Sequence, residues 1–223
     1  MKQPPAQLEA VVFDLDGTLI DTAEEFVVIV QALRAEHGRS PMDPAEIRRS
    51  VSNGALALVC LALDLEPTSK EAEQQRLRLL ELYTEVLGTT ARPYPGIVEL
   101  LEELAGQGVP WGISTNKPRA YTAPLLERLQ IQPAAGSVVC PDDVSHRKPH
   151  PESLLLNCRE LSCRPANTIY VGDHLRDIEA GRGAGMYTIA ATYGYIEADD
   201  NPDTWNADAY AADSHALAGL IFR

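Results

Sequence analysis

Short apolar runs recur along the chain, each followed by a stretch with helical spacing. Ala10 to Leu15, Pro110 to Thr115, Ser137 to Cys140, Thr168 to Gly172 and Tyr187 to Ala191 read as strands buried on both faces. Alternation of this kind predicts an α/β fold built on a doubly wound parallel sheet. Ahead of the second run, Ile97, Leu100, Leu101 and Leu104 recur at i, i+3, i+4 and i+7, one apolar stripe of a helix. Tyr94-Pro95-Gly96 marks its start, and Gly106 and Gly108 flank its end.

Between the first strand and that helix lie about 70 residues without a strand pattern. Thr22-x-x-Glu25 has the form of a capping box, and Phe26, Ile29, Val30 and Leu33 continue it as a helical stripe. A second helix is expected over Ala55 to Leu63, and a third from Ser69 towards Leu87 on Leu77, Leu80 and Leu82. Pro93 and Pro95 stiffen the return. The expected organisation is an α/β core of residues 1–20 and 90–223 with a helical cap, residues 21–89, inserted after the first strand. Such an insertion overhangs the carboxyl end of the sheet, where open α/β folds bind ligands.

Composition narrows the function classes. Of 223 residues, 45% are hydrophobic and 23% charged, as in ordinary globular proteins. The longest apolar run, Ala55 to Leu63, falls well short of the roughly 18 residues that cross a bilayer. Asp14 and Asp16 interrupt the N-terminal apolar segment before it can act as a signal-peptide core, so a cytoplasmic protein is expected. Cys60, Cys140, Cys158 and Cys163 form no C-x-x-C pair and are expected as free thiols. Nineteen basic against 32 acidic residues give a net charge of -13, which disfavours nucleic acid and anionic membranes as partners. An anionic substrate would need local positive charge.

The chemistry concentrates at strand ends. Asp14-Leu15-Asp16-Gly17-Thr18-Leu19 closes the first strand; residues two apart in a strand face the same side, and Gly17 allows a sharp turn. Ile113-Ser114-Thr115-Asn116-Lys117 closes the second, Lys148-Pro149-His150-Pro151-Glu152 lies in a later loop, and Val171-Gly172-Asp173-His174-Leu175-Arg176-Asp177 ends the fourth. In order and context these four segments resemble the motifs of the haloacid dehalogenase superfamily of phosphotransferases, over essentially the whole chain.

The resemblance implies roles. Asp14 would be the nucleophile, Asp16 the general acid and base, Thr115 the hydroxyl on the phosphoryl oxygens, with Asn116 beside it, and Lys148 the cation that neutralises phosphate and nucleophile. Mg²⁺ would bind the side chains of Asp14 and Asp173 and the backbone carbonyl of Asp16, with Asp177 in support and paired to Lys148. The presence of Asp16 points to a phosphatase, since the superfamily's dehalogenases lack that acid. Physical need agrees: a carboxylate nucleophile is repelled by a phosphate dianion until cations screen it.

Substrate choice falls to the cap, where Arg48-Arg49-Ser50-Val51-Ser52-Asn53-Gly54 offers two cations, two hydroxyls and a turn. Arg48, Arg49 and Asn53 are the expected substrate contacts, with the alternative that the segment is an exposed helix end. Helical caps here are similar to those of phosphoglycolate phosphatases and β-phosphoglucomutase, and Asn53-Gly54 looks like the former. Thr192-Tyr193-Gly194-Tyr195-Ile196, with Asp199-Asp200-Asn201-Pro202 and Trp205, looks like the N-acetylmuramic acid 6-phosphate phosphatases. The expected partner is therefore a small phosphorylated metabolite, N-acetylmuramic acid 6-phosphate first and 2-phosphoglycolate second. A sugar-phosphate mutase and a non-catalytic phosphate-binding module are the further alternatives.

Other signals carry less. Gly181-Arg182-Gly183-Ala184-Gly185 ends a helix and reads as a C-cap, not a dinucleotide loop. His37, His146, His150 and His215 lack metal-ligand spacing, whereas His174 stands beside Asp173.

Overall fold

The structure, a computed structural model, describes residues 3–222; Met1, Lys2 and Arg223, which the expected core segments include, lie outside the described residues. Strand β1 (Ala10–Phe13) sits inside a parallel sheet between β4 (Trp111–Ser114) and β6 (Thr168–Gly172). β5 (Ser137–Val139) lies outside β4, and β7 (Tyr187–Ala191) and β8 (Ala209–Ala211) extend the other side, giving the order β5-β4-β1-β6-β7-β8. The five strands read from the sequence are present. The sixth, β8, was not read because Ala209-Tyr210-Ala211 is too short to show a period.

From β1 the chain builds outwards through β4 and β5 on one side, then crosses back to build β6, β7 and β8 on the other, so the crevice at the carboxyl ends of β4, β1 and β6 is a topological switch point. Helices α5 (Ile97–Gly106), α6 (Arg119–Leu129), α7 (Glu152–Glu160), α8 (Leu175–Ala184) and α9 (Ala216–Ile221) join or follow the strands. Ile97, Leu100, Leu101 and Leu104 are all buried, as their spacing requires. Phe13 packs edge-on against Trp111, ring centroids 6.2 Å apart.

Four further helices, α1 (Ala23–Glu36), α2 (Pro44–Ser50), α3 (Gly54–Leu63) and α4 (Lys70–Val86), pack on one another beyond the sheet. Phe26, Ile29, Val30 and Leu33 bury as expected. Of the expected stripe on α4, Leu82 is buried and Leu80 partly so, while Leu77 is 52% exposed and the face is completed by Leu79 and Tyr83. The real face follows i, i+3, i+4, a phase the leucine-only reading missed.

Two-residue strands β2 (Ile20–Asp21) and β3 (Arg92–Pro93) pair antiparallel where the chain passes between sheet and helices. Beside them the expected capping box is absent. Thr22 precedes α1 but gives no side-chain cap; its hydroxyl donates to Asp16. Glu25 instead accepts the Thr90 and Ala91 amides at 3.2 and 3.1 Å, tying the start of α1 to the returning chain. The Gly181–Gly185 reading holds, with Gly185 left-handed (φ +86°) at the end of α8. All four cysteines are free. Among the described residues no helix is long and apolar enough to cross a membrane.

Candidate active site

Parallel register gathers the motifs. Phe13 is paired with both Ile113 and Val171, so the residues that follow these three emerge side by side at one end of the sheet. Asp14 follows β1, Thr115 follows β4 and Asp173 follows β6. The Asp14 amide donates to Val171 and the Thr115 amide to Val139, which extends the ladders into the loops.

Lys148 stands at the centre. Its Nζ lies 2.8 Å from Asp14 Oδ1 and 2.7 Å from Asp177 Oδ1, and it donates to the Ser114 carbonyl and the Tyr170 hydroxyl. Burial works against its charge, but Asp14 and Asp177 outweigh burial and raise its pKa. Asp177 also accepts from the Tyr170 hydroxyl and the His174 amide, at 3.0 and 3.1 Å. Asp173 accepts from Thr18 Oγ1 (3.1 Å), the Tyr195 amide (2.9 Å) and Ser52 Oγ (3.3 Å).

Asp14, Asp173 and Asp177 bring ligand oxygens within 4.8 Å of one another. Burial pushes the Asp173 carboxyl up to about 8, with Asp14 and Asp177 adding to it. Burial pushes Asp14 up to about 6, opposed by Lys148 and assisted by Asp177. Three carboxylates face one lysine here, an imbalance of two negative charges and the charge of one divalent cation. The donors are hard oxygens in a buried cluster, so the residues fit a divalent metal. Gly17 makes room for the Asp173 carboxylate: at φ +85°, a Cβ there would lie 2.1 Å from Asp173 Oδ2.

The Asp16 carboxylate faces away from this cluster. It accepts from Thr22 Oγ1 at 2.7 Å and from Lys117 Nζ at 3.0 and 3.2 Å. Thr115 Oγ1 accepts the Lys117 amide (3.0 Å), which leaves its O–H to donate into the cavity. The Asn116 side chain donates to the Lys148 carbonyl, so it braces the lysine loop.

A cavity of about 620 Å³ opens between the sheet end and helices α1, α3 and α4. Asp14, Asp16, Thr115, Asn116, Lys148, Asp177 and Asn53 line it, as does His174. Its cations are Arg76, Lys117, Arg147, Lys148 and Arg176, against the carboxylates of Asp14, Asp16 and Asp177. Five positive charges over three negative answer the net charge of -13 locally.

Arg48 and Arg49, expected at the substrate, do not line this cavity. Arg48 pairs with Asp21 at 2.7 Å and lies over the Tyr195 ring, so its guanidinium serves the junction beside β2. The other end of the same segment does reach the site. Ser52 meets Asp173, and Asn53 donates to Glu197 and accepts from Arg176 at 3.5 Å. Arg176 also donates to the Ser52 carbonyl at 2.7 Å, bridging core and helices. His174 caps α8 and has both ring nitrogens on Arg176, with burial first and Arg176 second lowering its pKa. The exposed pair His146 and His150 does gather with Glu152, donor atoms within 4.8 Å, against the spacing argument; Glu152 there accepts the Ser145 and His146 amides.

Sequence reasoning missed Lys117, Tyr83, Tyr195 and Arg176. Lys117 and Arg176 stand inside quoted motifs, and Tyr195 inside the C-terminal pattern, but their partners are distant in sequence. Tyr195 donates through its hydroxyl to Asp21 at 2.9 Å and accepts the Thr22 amide at 2.7 Å.

Comparison with known proteins agrees with this geometry. An N-acetylmuramic acid 6-phosphate phosphatase of Pseudomonas aeruginosa is 44% identical over 97% of this chain and 96% of its own length. A phosphoglycolate phosphatase of Xylella fastidiosa is 35% identical, over 93% of this chain and 90% of its own. Among solved structures, a predicted phosphoglycolate phosphatase from Haemophilus somnus superposes with a TM-score of 0.83 at 25% identity, covering 96% of this chain and 98% of that one. Residues 11–191 match the family described as haloacid dehalogenase-like hydrolase, and the chain belongs to that family.

Proposed function

We propose that this chain is a Mg²⁺-dependent phosphomonoesterase whose substrate is N-acetylmuramic acid 6-phosphate, working in the cytoplasm with residues 21–89 as a cap over the core. The observation that carries the reading is Asp14, half-buried at the switch point, 2.8 Å from Lys148 and facing a cationic cavity. Asp14 attacks phosphorus in line, and the ester P–O bond breaks as Asp16 gives its proton to the leaving oxygen. Asp16 then takes a proton from water, whose oxygen displaces Asp14 and releases inorganic phosphate. Thr115 and Lys148 hold the equatorial oxygens through both steps. Mg²⁺, held by the Asp14 and Asp173 side chains and the Asp16 carbonyl, would supply charge screening for the dianion.

The sugar reading is supported by the 44% identical relative and by cavity size. About 620 Å³ suits a phosphosugar with a lactyl side chain, whereas a two-carbon phospho-acid fills a small part of it. Arg147 and Arg176 are the cavity cations available to its carboxylate. Four free thiols suit a reducing compartment. Phosphate release tests the reading on N-acetylmuramic acid 6-phosphate, 2-phosphoglycolate and p-nitrophenyl phosphate in parallel. The expected result is the highest kcat/KM on the first, lost with EDTA, restored by Mg²⁺ and abolished in Asp14→Asn. A preference for 2-phosphoglycolate overturns the substrate, and full activity of Asp14→Asn overturns the mechanism.

A further inference from the structure

Lys117 is a core residue whose charged end is enclosed by the helical segment. Its residue surface is 9% exposed, and its ammonium lies 2.6 Å from the Tyr83 hydroxyl on α4. The same nitrogen sits 4.7 Å from the Tyr83 ring centroid and 5.4 Å from that of Phe26 on α1. Those two rings stack at 4.7 Å, so the aromatic wall is fixed by packing. An ammonium has three N–H donors. Here they meet Asp16 Oδ1, Asp16 Oδ2 and Tyr83, which occupies them without a phosphate oxygen. Lys148, by contrast, already stands on the nucleophile.

We propose that Lys117 and Tyr83 are positioning residues for the Asp16 carboxylate, so that the cap, through Tyr83, sets the aim of the group that protonates the leaving oxygen. The inference deepens the phosphomonoesterase reading and rests on it. Thr22 and Lys117 grip Asp16 from two sides, and Thr22 lies on the chain just after β2, where sheet and helices join. Tyr83 fixes Lys117 only while α4 stands against the core loop. The geometry of proton delivery thus depends on the position of a helix that carries no catalytic residue.

A leaving group of high pKa needs that proton as its P–O bond breaks; p-nitrophenolate leaves without it. The test measures kcat/KM, which reports the steps through formation of the Asp14 phosphoester, on ring-substituted aryl phosphates from phenyl to p-nitrophenyl. These substrates share size and lack sugar contacts. Tyr83→Phe keeps the stacked ring and removes the hydroxyl; Lys117→Met removes the charge. Both are expected to lower kcat/KM on phenyl phosphate about tenfold or more, and on p-nitrophenyl phosphate less than about threefold, steepening the dependence on leaving-group pKa. Asp16→Asn should give the limiting slope, and adding Tyr83→Phe to it should change nothing further. Comparison within one preparation removes any effect of a misfolded fraction. Uniform losses along the series, or none, in both variants overturn the proposal while leaving the phosphatase reading intact. A wild-type protein inactive on every aryl phosphate, or an Asp16→Asn slope equal to wild type, overturns both.

Discussion

The carboxylate cluster should make the metal-free protein less stable as pH rises, a direction opposite to that of acid denaturation. Asp173 has its carboxyl pushed from 3.8 to about 8. A group with a raised native pKa binds its proton in the folded state after the unfolded chain has lost it. Its contribution is complete below the unfolded pKa and is lost as pH climbs through the native value. Each retained proton is worth about 1.4 kcal/mol per pH unit. Between pH 5.5 and 7.5 the unfolded carboxyl is ionised throughout, so one retained proton costs up to about 3 kcal/mol over the interval. Asp14, pushed up to about 6, adds at the acid end, and the proton belongs to the cluster as a whole. For a chain of this length the melting temperature should fall by about 5–10 °C across that range.

Differential scanning fluorimetry in EDTA, with and without excess Mg²⁺, reads the effect. His174 opposes it, since burial holds its pKa below the ordinary value and its contribution grows as pH rises through that region. Asp173→Asn isolates the cluster by removing the first of its raised carboxyls. The variant should show a flatter pH profile in EDTA, and Mg²⁺ should no longer raise its melting temperature. In the wild type Mg²⁺ should raise the melting temperature more at pH 7.5 than at pH 5.5, because the cation replaces protons already lost. A melting temperature that climbs with pH in EDTA, or a slope unchanged by Asp173→Asn, refutes the reasoning.

Gly17→Ala should abolish metal-dependent stabilisation and cost about 1–2 kcal/mol from its left-handed backbone alone, before the clash with Asp173, as read by urea unfolding with and without Mg²⁺. Arg176→Ala should lower kcat/KM on N-acetylmuramic acid 6-phosphate about tenfold while p-nitrophenyl phosphate changes less, whereas Arg48→Ala should move both substrates alike through the β2 junction. Glu25→Ala strips the Thr90 and Ala91 amides of their acceptor and should cost about 1–3 kcal/mol in chemical denaturation with little change in KM.

The core was legible because its signals are local. A parallel strand buried on both faces is a run of apolar residues, and the motif at its end needs no distant partner to be seen. Of the helices in residues 21–89, α1 was legible in phase, α2 was not read at all, and α4 was read as a helix but out of phase. Leu77 looked inward by residue type and points outward, while Tyr83, one turn beyond Leu79, was passed over as an aromatic among leucines. Thr22-x-x-Glu25 failed for a similar reason: both side chains have partners outside the helix, in Asp16 and the amides of Thr90 and Ala91. Where tertiary partners compete for a polar side chain, a local capping pattern loses its force.

The misplacement of Arg48 shows what sequence distance conceals about specificity. In the sequence it is the first cation of a polar turn near the site; in the fold its guanidinium is spent on Asp21 and Tyr195. A cation counts towards substrate recognition only if the fold leaves it facing the cavity, and that depends on which acidic groups it meets on the way. Arg176 sits two residues from His174 and one from Asp177, yet its guanidinium donates to carbonyl and amide oxygens of the Ser52–Asn53 turn, not to a carboxylate. Among the described residues its charge therefore meets no direct ion pair in the wall of the cavity, at the place where the loop after β6 meets the Ser52–Asn53 turn. A substrate carboxylate arriving there would find a full positive charge already held in position by neutral acceptors, which is the arrangement that favours anion binding at least cost in ordering.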